Sequence, residues 1–190
     1  MSSTSFTVAG LEDGSFKAFQ RGINNLIQHT TLCLTIFQGA RLTDVRLARI
    51  TVDGNDATDM VFTLLNNLEP DVLILGGATF GGFNVVYTEN VYKETEIPII
   101  VFSAKKPDVK ATLNALRKHF PDWKKRWTAY SQLGDIYSLN IGDYPTIYYE
   151  KVGCSTEFTE RVLIDQALTG RTPEPVRVAG LIAKGLSSSF

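Results

Sequence analysis

Ile50-Thr51-Val52-Asp53-Gly54-Asn55-Asp56-Ala57-Thr58-Asp59 is the stretch at which the hydrophobic period of the chain changes. Before it, Val45–Val52 alternates apolar and polar side chains, the period of a half-exposed strand. After it, Met60, Val61, Leu64, Leu65 and Leu68 recur at helical spacing, so Ala57–Leu68 reads as a helix with Asp56 as its N-cap. Backwards from this point, Thr30–Phe37 is rich in β-formers and is broken by Gln38-Gly39-Ala40. The short connection to Val45–Val52 predicts an antiparallel hairpin. Phe6–Leu11, ending in Glu12-Asp13-Gly14, reads as a first strand and its turn.

Forwards, Asp71–Leu75 is a continuous apolar run, the signature of a strand buried on both faces, and Gly76-Gly77 ends it. Phe83–Glu94 reads as a helix, Ile97–Phe102 as a second buried strand and Pro107–Phe120 as a helix. Tyr137–Ile141 and Thr146–Val152 are strands joined by Gly142-Asp143-Tyr144-Pro145. Ser155–Leu168, with Ser155 as N-cap, and Pro175–Leu186 close the chain as helices on either side of a rigid Gly170–Pro175 linker. Three antiparallel strands followed by alternating helices and strands is the plan of a ribonuclease H-like α/β fold, here with a C-terminal β-hairpin and helices. A doubly wound parallel sheet is the runner-up. One domain is expected over 1–190, with 137–190 as a C-terminal extension packed on it.

Hydrophobic residues make up 44% of the 190 and charged residues 21%, ordinary for a globular protein with a sizeable core. A net charge of -1 excludes a globally basic polyanion binder, yet charge is segregated. Lys105 to Arg126 holds eight basic residues against two acidic ones, and Ile50 to Asp71 holds five acidic residues and no Lys or Arg. An acidic pole beside a basic helix suits a metal ion next to a phosphate track; a solvated helix face is the plainer reading. Cys33 and Cys154 lie far apart in sequence, which suits a reducing compartment rather than a disulfide framework. The first residues lack the basic and apolar parts of a signal peptide, and no apolar run approaches the roughly 20 residues that span a bilayer. A cytoplasmic location without membrane association is therefore expected.

Asp53, Asp56 and Asp59 place three carboxylates in seven residues. Close carboxylates repel one another unless a cation sits between them, and oxygen ligands favour magnesium, manganese or calcium over zinc. Capping and turn chemistry explain the same residues differently: Asp53-Gly54 as a turn, Asp56 as an N-cap, Asp59 as a partner of the helix dipole.

Five blocks carry a resemblance: Ala9–Phe16 (Ala-Gly-Leu-Glu-Asp-Gly-Ser-Phe), Thr51–Asp59, Leu75–Asn84 (Leu-Gly-Gly-Ala-Thr-Phe-Gly-Gly-Phe-Asn), Leu116–Phe120 and Gly170–Ala179. Through them the chain resembles the largely archaeal endonuclease dU family over nearly its whole length. That family is similar in turn to endonuclease V, a ribonuclease H-like, magnesium-dependent nuclease that cuts near deaminated bases. The resemblance implies a metal-dependent endonuclease acting on uracil- or hypoxanthine-containing nucleic acid, DNA first, with Mg²⁺ or Mn²⁺ as cofactor. It sets Glu12 at the first metal carboxylate of endonuclease V, where closer relatives carry an Asp-Asp-Gly run, and brings Asp53, Asp56 and Asp59 near the second. The third carboxylate of endonuclease V ends the next strand, where this chain has Gly76-Gly77. Tyr87 stands where relatives often carry an acid, and Gly180 where they tend to carry a histidine.

The expected catalytic set is Glu12, Asp13, Asp53 and Asp56, with Asp59 joining them as a metal ligand. Two metal-held functions are needed in phosphodiester hydrolysis, deprotonating water and neutralising charge on phosphate. The glycine-rich run is the second candidate site. Gly76 and Gly77 allow close backbone approach, Phe80 and Phe83 would stack on an extruded base, and Asn84 would read its edge. A tight turn with core phenylalanines explains the run equally. Lys105, Lys106, Lys124, Lys125 and Arg126, with Trp123 and Trp127 among them, are expected to bind a strand by charge and stacking. Arg171 and Arg177 either hold phosphate or pair with Glu174 to fix the last helix. His119 reads as an exposed helix-end residue. Two other functions fit the same residues: a nucleic-acid-binding protein without catalysis, and a small-molecule or nucleotide binder using Gly76–Asn84. The oligomeric state stays open, a homodimer included.

Overall fold

A computed structural model of the chain describes residues 6–17 and 27–187. In chain order the elements are β1 (Thr7–Asp13), β2 (His29–Gln38), β3 (Arg41–Thr51), α1 (Ala57–Leu65), β4 (Val72–Leu75), β5 (Thr79–Phe80), β6 (Asn84–Val85), α2 (Thr88–Thr95), β7 (Ile99–Ser103), α3 (Val109–His119), α4 (Trp123–Ser131), β8 (Tyr137–Leu139), β9 (Ile147–Val152), α5 (Thr156–Asp165) and α6 (Glu174–Ser187).

Seven strands form one mixed sheet in the order β3-β2-β1-β4-β7-β9-β8. β1, β4 and β7 are parallel at its centre, while β3-β2 on one side and β9-β8 on the other pair antiparallel. Antiparallel flanks on both sides exclude the doubly wound runner-up. The centre is parallel because helices cross between its strands, and β4 accordingly buries every residue. β2 and β3 are a hairpin, closed where Gly39 takes φ 59. The side chains of β3 alternate in exposure as its period-two pattern requires.

Helices cover both faces. One core packs Leu11, Leu34, Ile50, Leu73, Leu75 and Val101 with Val61 and Leu64 of α1 and Val91 of α2. The opposite core packs Val8, Ile74, Ile100 and Tyr149 with Val162 and Leu163 of α5 and Val176 of α6. Helix α6 lies on β1 and β2, with Cys33 buried against Ala179 and Ala183. Gly10 makes this approach possible, since a Cβ there would collide with the Pro175 backbone.

Three expected boundaries differ. Phe83–Glu94 is not one helix: Gly81 and Gly82, at φ 54 and 90, reverse the chain into the β5–β6 hairpin, and α2 begins only at Thr88. Helix α1 stops at Leu65 rather than Leu68, with Asn67 at φ 59 just beyond it. The basic run divides into α3 and α4, separated by Pro121 and Asp122.

Candidate nuclease site

Strand alternation separates the two acids that end β1. Glu12 faces α6, and Asp13 faces the β5–β6 hairpin, where its carboxylate accepts the Gly81 N–H. The Glu12 side chain lies in a notch that two glycines leave open. A Cβ on Gly76, at the end of β4, would overlap its Oε2, and a Cβ on Gly180 of α6 would stand 2.9 Å from its Cγ. The Asp13 N–H donates to Glu12 Oε1 at 3.2 Å. Burial first, then the neighbouring Asp13 carboxylate, pushes the Glu12 carboxyl well above the ordinary range. Burial also raises Asp13, against the Gly81 hydrogen bond and the Lys184 ammonium.

Asp53 follows β3 in the left-handed region, φ 57, and is 2% exposed. A non-glycine residue held there stores strain of about 1 kcal/mol or more, so its surroundings must impose it. Its N–H donates to Gly81 O at 2.7 Å, and its Oδ1 accepts the Phe83 N–H at 3.0 Å. Asp13 and Asp53 thus grip the same glycine turn.

Asp56 sits at the N-cap position of α1 without capping it. Its carboxylate instead accepts Thr51 N–H, Thr51 Oγ1 and the Asn84 amide. Burial pushes its pKa up, but these donors outweigh burial and hold it below the usual range. Asn84 is fully buried and supplies the cap from across the fold: its Oδ1 accepts the Ala57 N–H at 3.0 Å, and its Nδ2 donates to Thr51 O at 2.9 Å. It therefore has no free edge with which to read a base. Asp59 is exposed on the first turn of α1, facing water.

The five acids expected to share a metal are thus not assembled as one cage. Among the described residues no group of three or more His, Cys, Asp or Glu side chains is close enough to hold a metal ion. The Glu12–Asp13 pair still fits Mg²⁺ by its chemistry. It is all-oxygen and has a glycine cradle beside it, and magnesium often takes one or two protein carboxylates and fills its shell with water and phosphate.

Phe80 is 1% exposed and belongs to the core, so it cannot stack on a ligand. Phe83 packs at 5.4 Å on Phe120 and lines a cavity of about 390 Å³. Asp53, Ala78, Thr79 and Gly82 form one wall of this cavity, and Thr112 and Tyr130 of α3 and α4 form another. Val101, Ser103 and Glu150 bring in the sheet, and Phe16 the segment after β1. Glu150 was missed from sequence. Its signal was an acid at a strand position facing the same core as Val101 and Val152.

Lys105, Lys106, Lys124 and Lys125 are exposed on the β7–α3 connection and α4, which also carry the cavity-lining Pro107 and Tyr130. Arg126 is not part of that face. It is 1% exposed, paired with Asp122 at 3.0 Å, and spends its remaining donors on the carbonyls of Asp53, Gly54 and Phe83. Arg171 donates to the carbonyls of Pro145 and Thr146, and Arg177 binds Glu174 through two hydrogen bonds. The last two therefore tie the C-terminal helix and its linker in place rather than waiting for phosphate.

Comparison with known proteins agrees with this geometry. The family model described as endonuclease dU matches residues 4–187. A UPF0215 protein of Thermococcus gammatolerans is 37% identical over 185 residues, covering 94% of this chain and 91% of that protein. A protein of unknown function from Archaeoglobus fulgidus, at 27% identity, superposes with a TM-score of 0.82 over 95% of this chain and 98% of its own. Ciona intestinalis endonuclease V, solved with a 23mer DNA containing an inosine followed by a ribo-adenosine, has the same fold at 13% identity, with a TM-score of 0.63 over 99% of this chain and 88% of its own. The family match spans nearly the whole length, and the chain belongs to the endonuclease dU family.

Proposed function

We propose that the protein is a metal-dependent endonuclease of ribonuclease H-like type that cuts a nucleic-acid strand near a deaminated base. The observation that carries this reading is the Glu12–Asp13 pair: two half-buried carboxyls at the end of a central strand, both raised by burial, Glu12 also by the Asp13 charge, and both still raised although the Lys184 ammonium acts the other way. Buried like charges of this kind are costly unless a cation joins them, and they concentrate at functional sites. Glu12 and Asp13 would hold Mg²⁺ or Mn²⁺. Such an ion, when bound, lowers the pKa of a water nucleophile and neutralises charge on the scissile phosphate.

Around that pair the chain's own residues have separate tasks. Asp13 and Asp53 hold the Gly81–Phe83 turn by its N–H groups, which fixes the wall of the cavity against the carboxylates. The cavity next to the turn is the place for the deaminated base, and Phe83 is its aromatic wall. Lys105, Lys106, Lys124 and Lys125 would follow the strand's phosphates.

The test is cleavage of an oligonucleotide bearing one uracil or one hypoxanthine, in Mg²⁺, in Mn²⁺ and in chelator. Cleavage is expected only with metal, and at least tenfold slower for Glu12→Gln, Asp13→Asn and Gly76→Ala, the last because its Cβ evicts the Glu12 carboxylate. A wild type that cuts neither substrate, or an Asp13→Asn protein that cuts at the wild-type rate, overturns the reading. A second reading, binding without turnover, is favoured by Gly76 standing where a third acid would close a metal cage. It predicts tight, salt-dependent binding with no product in any metal.

A further inference from the structure

Glu150 lies at the sheet side of the cavity and is 3% exposed. Its Oε2 is shielded from solvent and has no hydrogen-bond partner among the described residues. Strand β9 points it to the side of the sheet where Val101 is its register partner and Val152 is buried. An apolar residue would satisfy every packing demand of that position. A buried polar atom without a partner costs on the order of 1–3 kcal/mol, more when charged, and native structures retain few of them. Nothing in the fold explains the cost. The cavity does: it has aromatic walls in Phe16, Phe83 and Tyr130, hydroxyls in Thr79, Ser103 and Thr112, and one unspent acid. A planar ring with polar edge atoms matches that lining.

We infer that Glu150 selects the base in this cavity, the carboxylate oxygen on the cavity side accepting the ring N–H of a lactam edge, as in uracil or hypoxanthine. Cytosine and adenine present a ring-nitrogen lone pair at the corresponding position, which an acceptor oxygen repels. The inference rests on the proposed function for its substrate class and adds the residue that decides among bases. Burial pushes the Glu150 carboxyl up to about 7, so a base N–H arriving at the carboxylate favours the ionised form that accepts it. Tyr130 of α4 and Thr112 of α3 line the same cavity.

The test uses full-length protein in chelator, so that binding is read without cleavage. Labelled oligonucleotides carry a single uracil, a single N3-methyluracil, which lacks the N–H, or a single cytosine. Wild type is expected to bind the uracil strand about ten- to a hundredfold more tightly than either other strand, the worth of one hydrogen bond to a charged acceptor. Glu150→Leu, which suits the apolar surroundings, is expected to bind all three within about threefold. Glu150→Met serves in the same way if the leucine protein does not fold. A Glu150→Leu or Glu150→Met protein that keeps the wild-type preference for uracil over N3-methyluracil overturns the inference, because the methyl group's bulk alone would then account for it. Cleavage in Mg²⁺ is scored separately. If wild type cuts nothing while Glu150→Leu loses the base preference, the role of Glu150 stands and the nuclease reading falls; if wild type cuts and Glu150→Leu keeps the preference, the reverse holds.

Discussion

Glu12 and Glu150 both have carboxyls raised by burial, Glu12 in a glycine-lined notch and Glu150 at the cavity. Glu150 allows a direct thermodynamic check. Its folded pKa of about 7 lies above its ordinary value of 4.5. Between these values the native state therefore binds more protons than the unfolded chain, and stability falls as pH rises through the window. At 1.36 kcal/mol per unit the full loss is about 3 kcal/mol, complete above pH 7 and absent below pH 4.5. Replacing Glu150 by Leu removes this dependence. Urea unfolding should show Glu150→Leu gaining about 2–3 kcal/mol over wild type on moving from pH 5 to pH 8. An equal difference at the two pH values would mean that the acid is not buried in the native state. Glu12 makes the second point at this scale. The notch it fills exists because Gly76 and Gly180 have no side chains, a relation between three residues far apart in sequence.

At the scale of elements, the turn after β3, the β5–β6 hairpin and α4 are held as one unit by Arg126. Its guanidinium meets Asp122 and three carbonyls, and it packs at 4.4 Å on the Phe120 ring. Arg126→Met leaves those carbonyls and a carboxylate without their donor. Removing one partner of a buried pair costs about 3–5 kcal/mol. Chemical denaturation should show a loss of about 3 kcal/mol or more, and Arg126→Lys should not restore it, since one ammonium cannot reach the fan of acceptors. A loss below 1 kcal/mol would show that the turns hold without it. Much of this scale was legible in advance. The change of period at Thr51–Asp59, the all-apolar β4 and the Ser155 cap, which accepts the Phe158 N–H, are local signals and appear where expected. The β5–β6 hairpin that takes up the start of Phe83–Glu94 was not legible, because helical spacing of apolar residues cannot reveal that Gly81 and Gly82 take positive φ.

At the scale of the molecule, a net charge of -1 conceals a polar division. Carboxylates gather at the ends of β1 and β3, and exposed lysines stand on the β7–α3 connection and α4, which also contribute Pro107 and Tyr130 to the cavity lining. A strand lying between them would meet base pocket, acids and phosphate contacts together. Reversing Lys124 and Lys125 to glutamate should weaken oligonucleotide binding whatever the base. It should also lower the slope of log K against log salt by about one to two units, since each phosphate contact contributes roughly 0.7 on a single strand. An unchanged slope would move the strand off this face.

The sequence alone determined most elements and their order, though not the β5–β6 hairpin or the split into α3 and α4, because hydrophobic period, turn residues and caps act over a few neighbours. Spacing marked Asp53 as one of three close carboxylates, and the family resemblance marked Glu12 and Asp13. Only the tertiary structure decided what each acid does. Asp56 is consumed by Thr51 and Asn84, Asp59 faces water, and Arg126 turns inward. Glu150 emerges in a cavity that Phe16, Thr79, Ser103 and Tyr130 enclose from distant parts of the chain. Burial and hydrogen-bond partners come from residues brought together by the sheet, and spacing along the chain carries no record of them.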